Sequence, residues 1–385
     1  MLSRLTILLL SFAVLLPGWT DKGHRIAPEL ALKLLPADVP VLRVYASAVI
    51  DAGPEPDRWR AGLPPIKDAQ EPDHFINLEM TSFLAAFPPT RHRFIEEVYA
   101  ESERSGSRLR PETVGYQPYI VAEIFERLRL AFGEYNRLRL LGRPSREVQR
   151  RIAFYAGWLS HYVADGAQPL HATIHYDGWV GPNPEGFSSE RGLHNKFEGA
   201  FVEQNISPAD VVAVAPQPVA IRDLAADYLA YLRQSLSLVR RLYELDKAGG
   251  FDGAGTAEGR RFVAERLAAG RDMLAAVWSA AFQQGAWLGC IPYGEAVAHA
   301  GQAGCVTGTL VSARELPTTR APAPLALSFC PEGGACPLEI VIPGNARARF
   351  PHPSALQGKA RKFIGLVTVR DARASMWLSD PAAIR

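Results

Sequence analysis

The sequence predicts a mainly α-helical domain followed by a small all-β domain. Three observations carry this. Up to about residue 290, apolar side chains recur at three- and four-residue intervals, as in the run VAEIFERLRLAFGEYNRLRLL. After about residue 300 the texture changes to short β-rich runs separated by Pro, Gly and polar turns. Five of the nine histidines also fall, with three carboxylates, into one ordered set of metal-ligand spacings confined to the helical part.

The helical segments read at about 25–36, 40–50, 91–104, 115–141, 145–166, 219–246 and 256–288. Pro144-Ser145 opens the fifth, and Gly166 and Pro169 break it. Segments 52–66 and 176–192 are rich in Gly and Pro and read as loops. The runs CVTGTLVSARELP, LALSFC, PLEIVIP, KFIGLVTVR and SMWLSD read as five strands. Five strands in so short a span fit a sandwich or a small barrel, a five-stranded OB-like barrel being one candidate.

Residues 1–18 read as a secretory signal peptide. Arg4 gives a positive start, Leu5 through Leu16 is an apolar run too short to span a bilayer, and Pro17-Gly18 ends it. The expected organisation is therefore 1–18 signal, 19–300 helical domain and 301–385 β domain, in a secreted or periplasmic protein with no stable membrane span after processing. The four cysteines, Cys290, Cys305, Cys330 and Cys336, match no zinc knuckle. In an exported chain they suggest disulfides, with Cys290–Cys305 and Cys330–Cys336 one pairing among those that four cysteines allow.

The net charge of +2 shows no overall pull toward nucleic acid or an acidic membrane. Residues 306–385, however, carry ten Lys/Arg against five Asp/Glu. That balance, with Phe350, Phe363 and Trp377, would suit strand binding by charge and stacking. Core packing is the plainer role for those rings and is favoured.

The candidate ligands, in order, are Trp19, His24, Asp57, His74, His161, Asp165, His171, His194 and Glu198. His161 and Asp165, and again His194 and Glu198, stand four apart, which places each pair on one helix face. Zinc takes imidazole nitrogen and carboxylate oxygen, so two such pairs are a natural zinc arrangement. The plainer readings are a surface pair for His194/Glu198 and a hydrogen-bonded core histidine for His74. His92, His299 and His352 are bystanders, and His175 reads as solvent-exposed.

WTDKGH, PDRWR, DHFIN, HYVADGAQPLHA and HNKFE, in that order, resemble the motifs of the superfamily that joins zinc-dependent phospholipase C to the single-strand-specific zinc nucleases. The resemblance covers roughly residues 19–290. It implies three zinc ions per chain. One would be held by Trp19 (through a free terminal amine and its carbonyl), His24 and Asp165. A second would be held by Asp57, His74, His161 and a shared Asp165, and a third by His171, His194 and Glu198. It also implies that Asp57 orients the attacking water.

The substrate is less sharply marked. Glu198 as the last ligand resembles the phospholipases. Arg60, Phe75 and Asn77 resemble the nuclease residues that meet phosphate and base. Lys22, Arg58 and Glu71 stand where the phospholipases cradle choline, and two cations there would repel it. The expectation is thus a zinc-dependent phosphodiester hydrolase acting on single-stranded DNA or RNA, with Asp57 and Arg60 catalytic and Phe75 and Asn77 contacting substrate. Phospholipid head-group cleavage is the alternative, and a non-catalytic zinc-containing binding protein the second. No protein partner is implied.

Overall fold

The computed structural model describes residues 19–36, 39–319, 321–331, 334–370 and 373–385. The expected signal segment, 1–18, lies outside the described residues.

Three long helices frame the helical part: Gln117–Leu140, Arg146–Ala167 and Ala257–Gly285. Each follows from its sequence. Pro118 sits in the first turn of Gln117–Leu140, where its missing N–H costs nothing. Ile120, Ile124, Leu128, Ala131 and Phe132 then make one buried stripe. Thr256 caps Ala257–Gly285 by accepting from the Gly259 N–H. Arg146–Ala167 stops before Gln168, whose backbone is extended ahead of Pro169. The Gln117–Leu140 and Ala257–Gly285 helices touch at a glycine pair: a Cβ on Gly285 would sit 2.2 Å from the Arg129 carbonyl oxygen, and one on Gly133 2.7 Å from the Gly285 oxygen. One core fills the space among these helices, with Phe132, Tyr162 and Trp278 fully buried. A second gathers Trp19, Phe197, Phe201, Phe251 and Phe262. The metal-ligand candidates lie on the helices and loops between the two.

The segment expected as a loop at 52–66 instead carries the short helices Glu55–Trp59 and the start of Pro64–Gln70. Prolines at their first turns initiate them, which is why Pro-rich sequence misled the loop reading. Segment 176–192 is irregular, as expected.

The β part is one mixed sheet of seven strands: β1 Ala286–Pro292, β2 Ala303–Thr309, β3 Ser312–Glu315, β4 Leu325–Ser328, β5 Leu338–Ile342, β6 Ala360–Arg370 and β7 Arg373–Trp377. Their order is β1-β2-β6-β7-β5-β4-β3. The sheet is open, with β1 and β3 as edges and no pairing between them among the described residues. The five-stranded barrel expectation is therefore corrected. The run read as the first strand splits into β2 and β3, which lie at opposite sides of the sheet. A further strand, β1, comes directly off the end of the Ala257–Gly285 helix and starts before residue 300. Asn136 fastens helix to sheet, its buried amide donating to both the Trp287 and Ala303 carbonyls at 3.0 Å. Disulfides join Cys290 to Cys305 and Cys330 to Cys336. Phe363 is fully buried in the sheet core, Phe350 packs against it half-buried, and Trp377 is half-exposed.

Candidate metal centre

The site is assembled from both ends of the helical part. Trp19 is fully buried, and its indole N–H donates to the Ala164 carbonyl at 2.9 Å. That bond fixes the start of the Asp21–Leu34 helix beside Asp165 and brings His24 inward. The His24 ring stacks on His161 with centroids 3.8 Å apart. Its Nε2 lies 3.4 Å from Asp165 Oδ1 and 3.6 Å from Asp57 Oδ2. Gly53 permits this approach, since a Cβ there would meet the His24 carbonyl oxygen at 2.6 Å.

His74 ends a 3-10 turn, Glu71–His74. Its Nδ1 is 3.2 Å from Asp165 Oδ2 and 3.0 Å from His161 Nε2. His161 Nε2 is 3.3 Å from the same Asp165 oxygen. Asp165 thus turns one oxygen to His24 and the other to His74 and His161. His171 links this set to the next, with Nδ1 3.7 Å from Asp165 Oδ2 and Nε2 3.2 Å from Glu198 Oε2. Glu198 Oε1 lies 2.6 Å from His194 Nε2. Residues Asn195–Ala200 form a π-helical turn, a local irregularity of the kind that re-aims side chains at functional sites.

Three sets of ligand atoms lie within 4.8 Å of one another: His24, Asp57 and His161; His74, His161 and Asp165; His171, His194 and Glu198. The third has the membership that the resemblance implies. In the first two, His161 is common to both and Asp57 sits with His24. The amine of Trp19, the other ligand implied there, depends on residues outside those described.

Outer bonds orient the rings. His161 Nδ1 donates to the Gly53 carbonyl at 2.9 Å, His171 Nδ1 to the His74 carbonyl at 2.7 Å, and His194 Nδ1 to the Tyr176 carbonyl at 3.0 Å. Each bond turns Nε2 inward as the donor atom, as in histidine metal sites. The inward atoms are short of partners. His24 Nδ1 and Nε2, His74 Nε2 and Asp165 Oδ1 are buried without a hydrogen bond among the described residues, the nearest approach being His24 Nε2 to Asp165 Oδ1 at 3.4 Å. An unmet buried polar atom costs about 1–3 kcal/mol, so a ligand that met these atoms would stabilise the cluster. A donor set of imidazoles and carboxylates alone fits zinc.

Charge within the bare cluster is divided unevenly. Burial drives the His24 pKa well down and that of His74 to about 3, leaving neutral nitrogens. Burial also disfavours charge on His171, but Asp165 and Glu198 prevail and raise it to about 9. Against burial, His171 and His161 hold Asp165 ionised, and His194 and His171 do the same for Glu198.

Arg60 reaches the rim, with Nη1 3.4 Å from Asp57 Oδ1 and Nη2 3.8 Å from Glu71 Oε1. Phe75 is half-buried beside Gly115, where a Cβ would meet its ring and carbonyl. Asn77 is a correction. It is buried, and its amide donates to the Thr113 carbonyl at 2.8 Å, so it pins the loop and leaves little of itself for a base to touch. The cationic pocket is also corrected. Arg58 pairs with Asp21 and Glu55, both at 2.6 Å, and Lys22 donates to the Glu203 carbonyl. The charge of Arg58 is answered by two carboxylates while Lys22 keeps its own, so repulsion of choline there is weakened. His175 is half-buried and stacks on Trp179.

Sequence reasoning missed Gln168 and Gln117. Buried Gln168 donates to Glu198 Oε2 at 2.7 Å, and buried Gln117 to the His74 carbonyl at 2.8 Å. The position of Gln168 between Asp165 and His171 was the available signal. Gln117 gave none.

No family model matches the sequence, and no curated protein matches it. Among solved structures, the crystal structure of the alpha-toxin of Clostridium perfringens from avian strain SWCP is similar, with 13% identity and a TM-score of 0.33. The match covers 69% of this chain and 64% of that one, so less than two thirds of the toxin chain is spanned. A likeness this loose carries no argument about chemistry.

Proposed function

We propose that this chain is a zinc-dependent phosphodiester hydrolase acting on single-stranded nucleic acid. One observation carries the reading: imidazoles and carboxylates distant in sequence meet in one buried network that leaves several of their polar atoms without a hydrogen bond. His24, Asp57, His74, His161, Asp165, His171, His194 and Glu198 would hold the metal, with Trp19 joining them if its amine is terminal. Zinc there supplies Lewis acidity that activates water near neutral pH and neutralises phosphate charge.

The protein's own groups do the rest. Asp57 lies at the rim end of the network and is placed to orient the incoming water. The Arg60 guanidinium beside it can meet a phosphate oxygen. The half-exposed part of Phe75 offers a surface on which a base can stack. No serine or cysteine nucleophile is needed, and all four cysteines are paired. The disulfides support an exported protein, and no described helix is long and apolar enough to cross a membrane.

A second reading, phospholipid head-group cleavage, is favoured by Leu63 and Ile66. These are 78% and 41% exposed, just before the turn that carries His74. Such an apolar lip suits a lipid surface. Side-by-side assays of the zinc-loaded protein on single-stranded DNA, RNA and phosphatidylcholine decide the matter. Turnover of the nucleic acids alone is expected. Turnover of phosphatidylcholine alone moves the substrate to lipid, and turnover of none removes the hydrolase.

A further inference from the structure

A cavity of about 550 Å³ opens in the β part, bounded by Leu140 at the end of the Gln117–Leu140 helix and by the Cys290–Cys305 disulfide. Arg361, Lys362 and Arg385 line it, and none of its lining side chains is acidic. None of the lining residues belongs to the metal centre.

Lys362 and Arg385 are placed in an unusual way. Each backbone donates to the other, Lys362 N to Arg385 O at 2.7 Å and Arg385 N to Lys362 O at 2.9 Å. Residues that exchange both bonds across an antiparallel pair stand directly opposite, with side chains on one face. Like charges so placed are destabilising. Neither side chain makes an ion pair among the described residues, and Arg361, next to Lys362 in the strand, faces the other side of the sheet. There the Arg361 guanidinium is steadied by the Leu356 and Ala355 carbonyls, at 3.4 and 3.0 Å. The result is a cleft with Lys362 and Arg385 side by side over Leu140, Ile364 and the disulfide, with no acidic side chain in its lining.

We propose that this cleft is a second contact for the substrate, holding backbone phosphates of a single strand whose other part lies at the metal centre; this rests on the nuclease reading. A phosphate between Lys362 and Arg385 would relieve the like-charge pair. The reach can be gauged along one helix. Gln117 binds the His74 carbonyl at one end, and Leu140 lines the cleft at the other. At ~1.5 Å rise per residue, that helix spans about 35 Å. At ~3.4 Å per stacked nucleotide, a strand needs about ten nucleotides to touch both places. A dinucleotide cannot.

The test uses the full-length, zinc-loaded protein and two substrates, a 20-nucleotide single-stranded DNA and a deoxydinucleotide. The variant is Lys362→Glu/Arg385→Glu. The charge-matched control is Arg108→Glu/Arg233→Glu, at exposed positions without ion pairs outside the cleft. The cleft variant should raise KM for the 20-mer roughly tenfold, leave its kcat unchanged and leave dinucleotide kinetics untouched. Anisotropy with labelled 20-mer should show the salt slope of log affinity shallower by about 1.4, the value for two lost phosphate contacts on a single strand. An unchanged KM and slope, or an equal loss in the control pair, overturns the proposal. If the wild type cleaves neither substrate, the nuclease reading fails by itself. The anisotropy slope then decides the cleft: a shallower slope in the cleft variant alone retains it as a strand-binding site, and equal slopes remove it.

Discussion

The side-chain amide of Gln168 donates to Glu198 Oε2 at 2.7 Å, and both residues are fully buried. The other end of Gln168 accepts from the Leu170 N–H. One residue thus shapes the turn that delivers His171 and holds the carboxylate that His171 faces. Removing it frees Glu198 to rotate away from His171 and His194. Outer partners of this kind are worth 10–100-fold in metal affinity. Gln168→Ala should therefore weaken the His171/His194/Glu198 site by roughly that factor while sparing the other two. Zinc titration against a competing chelator reads this directly, and unchanged affinity at all sites would show that Gln168 only shapes the turn.

Metal removal should cost stability as well as activity. Among the described residues, the bare network leaves four buried polar atoms without a hydrogen bond: His24 Nδ1 and Nε2, His74 Nε2 and Asp165 Oδ1. A ligand that binds only the folded state stabilises it by RT ln(1 + [L]/Kd), about 2.7 kcal/mol at a hundredfold excess over Kd. Dialysis against chelator should lower the melting temperature, and added zinc should restore it. Metal analysis of the loaded protein should approach three ions per chain, matching the three ligand groups. One ion or none, with melting unaffected by chelator, would remove the multinuclear centre.

Much of this centre was legible in the sequence, because helical spacing places side chains predictably. His161 and Asp165 lie on one face of one helix, and their separation of 3.3 Å follows from that. His194 and Glu198 were legible for the same reason. The grouping around His24 was not. It depends on the Trp19 bond to Ala164 and on the close pass at Gly53, both tertiary facts. Asn77 misled because its polar type said nothing of the Thr113 carbonyl beside it. In the β part the strand runs were readable, but closure was not. Strand order depends on pairings distant in sequence, such as parallel β5 with β7, which local pattern does not encode.

Asp165 is the residue whose two oxygens serve different partners, Oδ1 toward His24 and Oδ2 toward His74 and His161. Asp165→Asn keeps the shape but replaces one oxygen with a donor that cannot ligate. Turnover should fall by at least 10²–10³, the scale of removing one essential electrostatic contact. The helices should persist, because Asp165 is surrounded by Ala164, Gly166 and other packed positions of a helix with its own apolar stripe. Activity and far-UV circular dichroism measured together check this. Turnover close to wild type in a folded variant would mean that Asp165 does not join the ions.

Gly53 offers a test of how tightly the packing sets the site. Its φ is −56°, so backbone freedom is not the reason for glycine here; space is. An alanine methyl would lie 2.6 Å from the His24 carbonyl oxygen and 3.3 Å from Ser160 Oγ. Neither neighbour can yield freely, one being helix backbone and the other a buried hydroxyl bonded to the Gly157 carbonyl. Overpacking of this sort costs about 1–3 kcal/mol. The same shift would lengthen the His161 Nδ1 bond to the Gly53 carbonyl and separate His24 from His161. Gly53→Ala should thus lower the urea midpoint and weaken zinc at the sites containing His24 and His161, with the His171/His194/Glu198 site retained. Equal zinc affinity at every site in a destabilised variant would show that Gly53 serves packing alone.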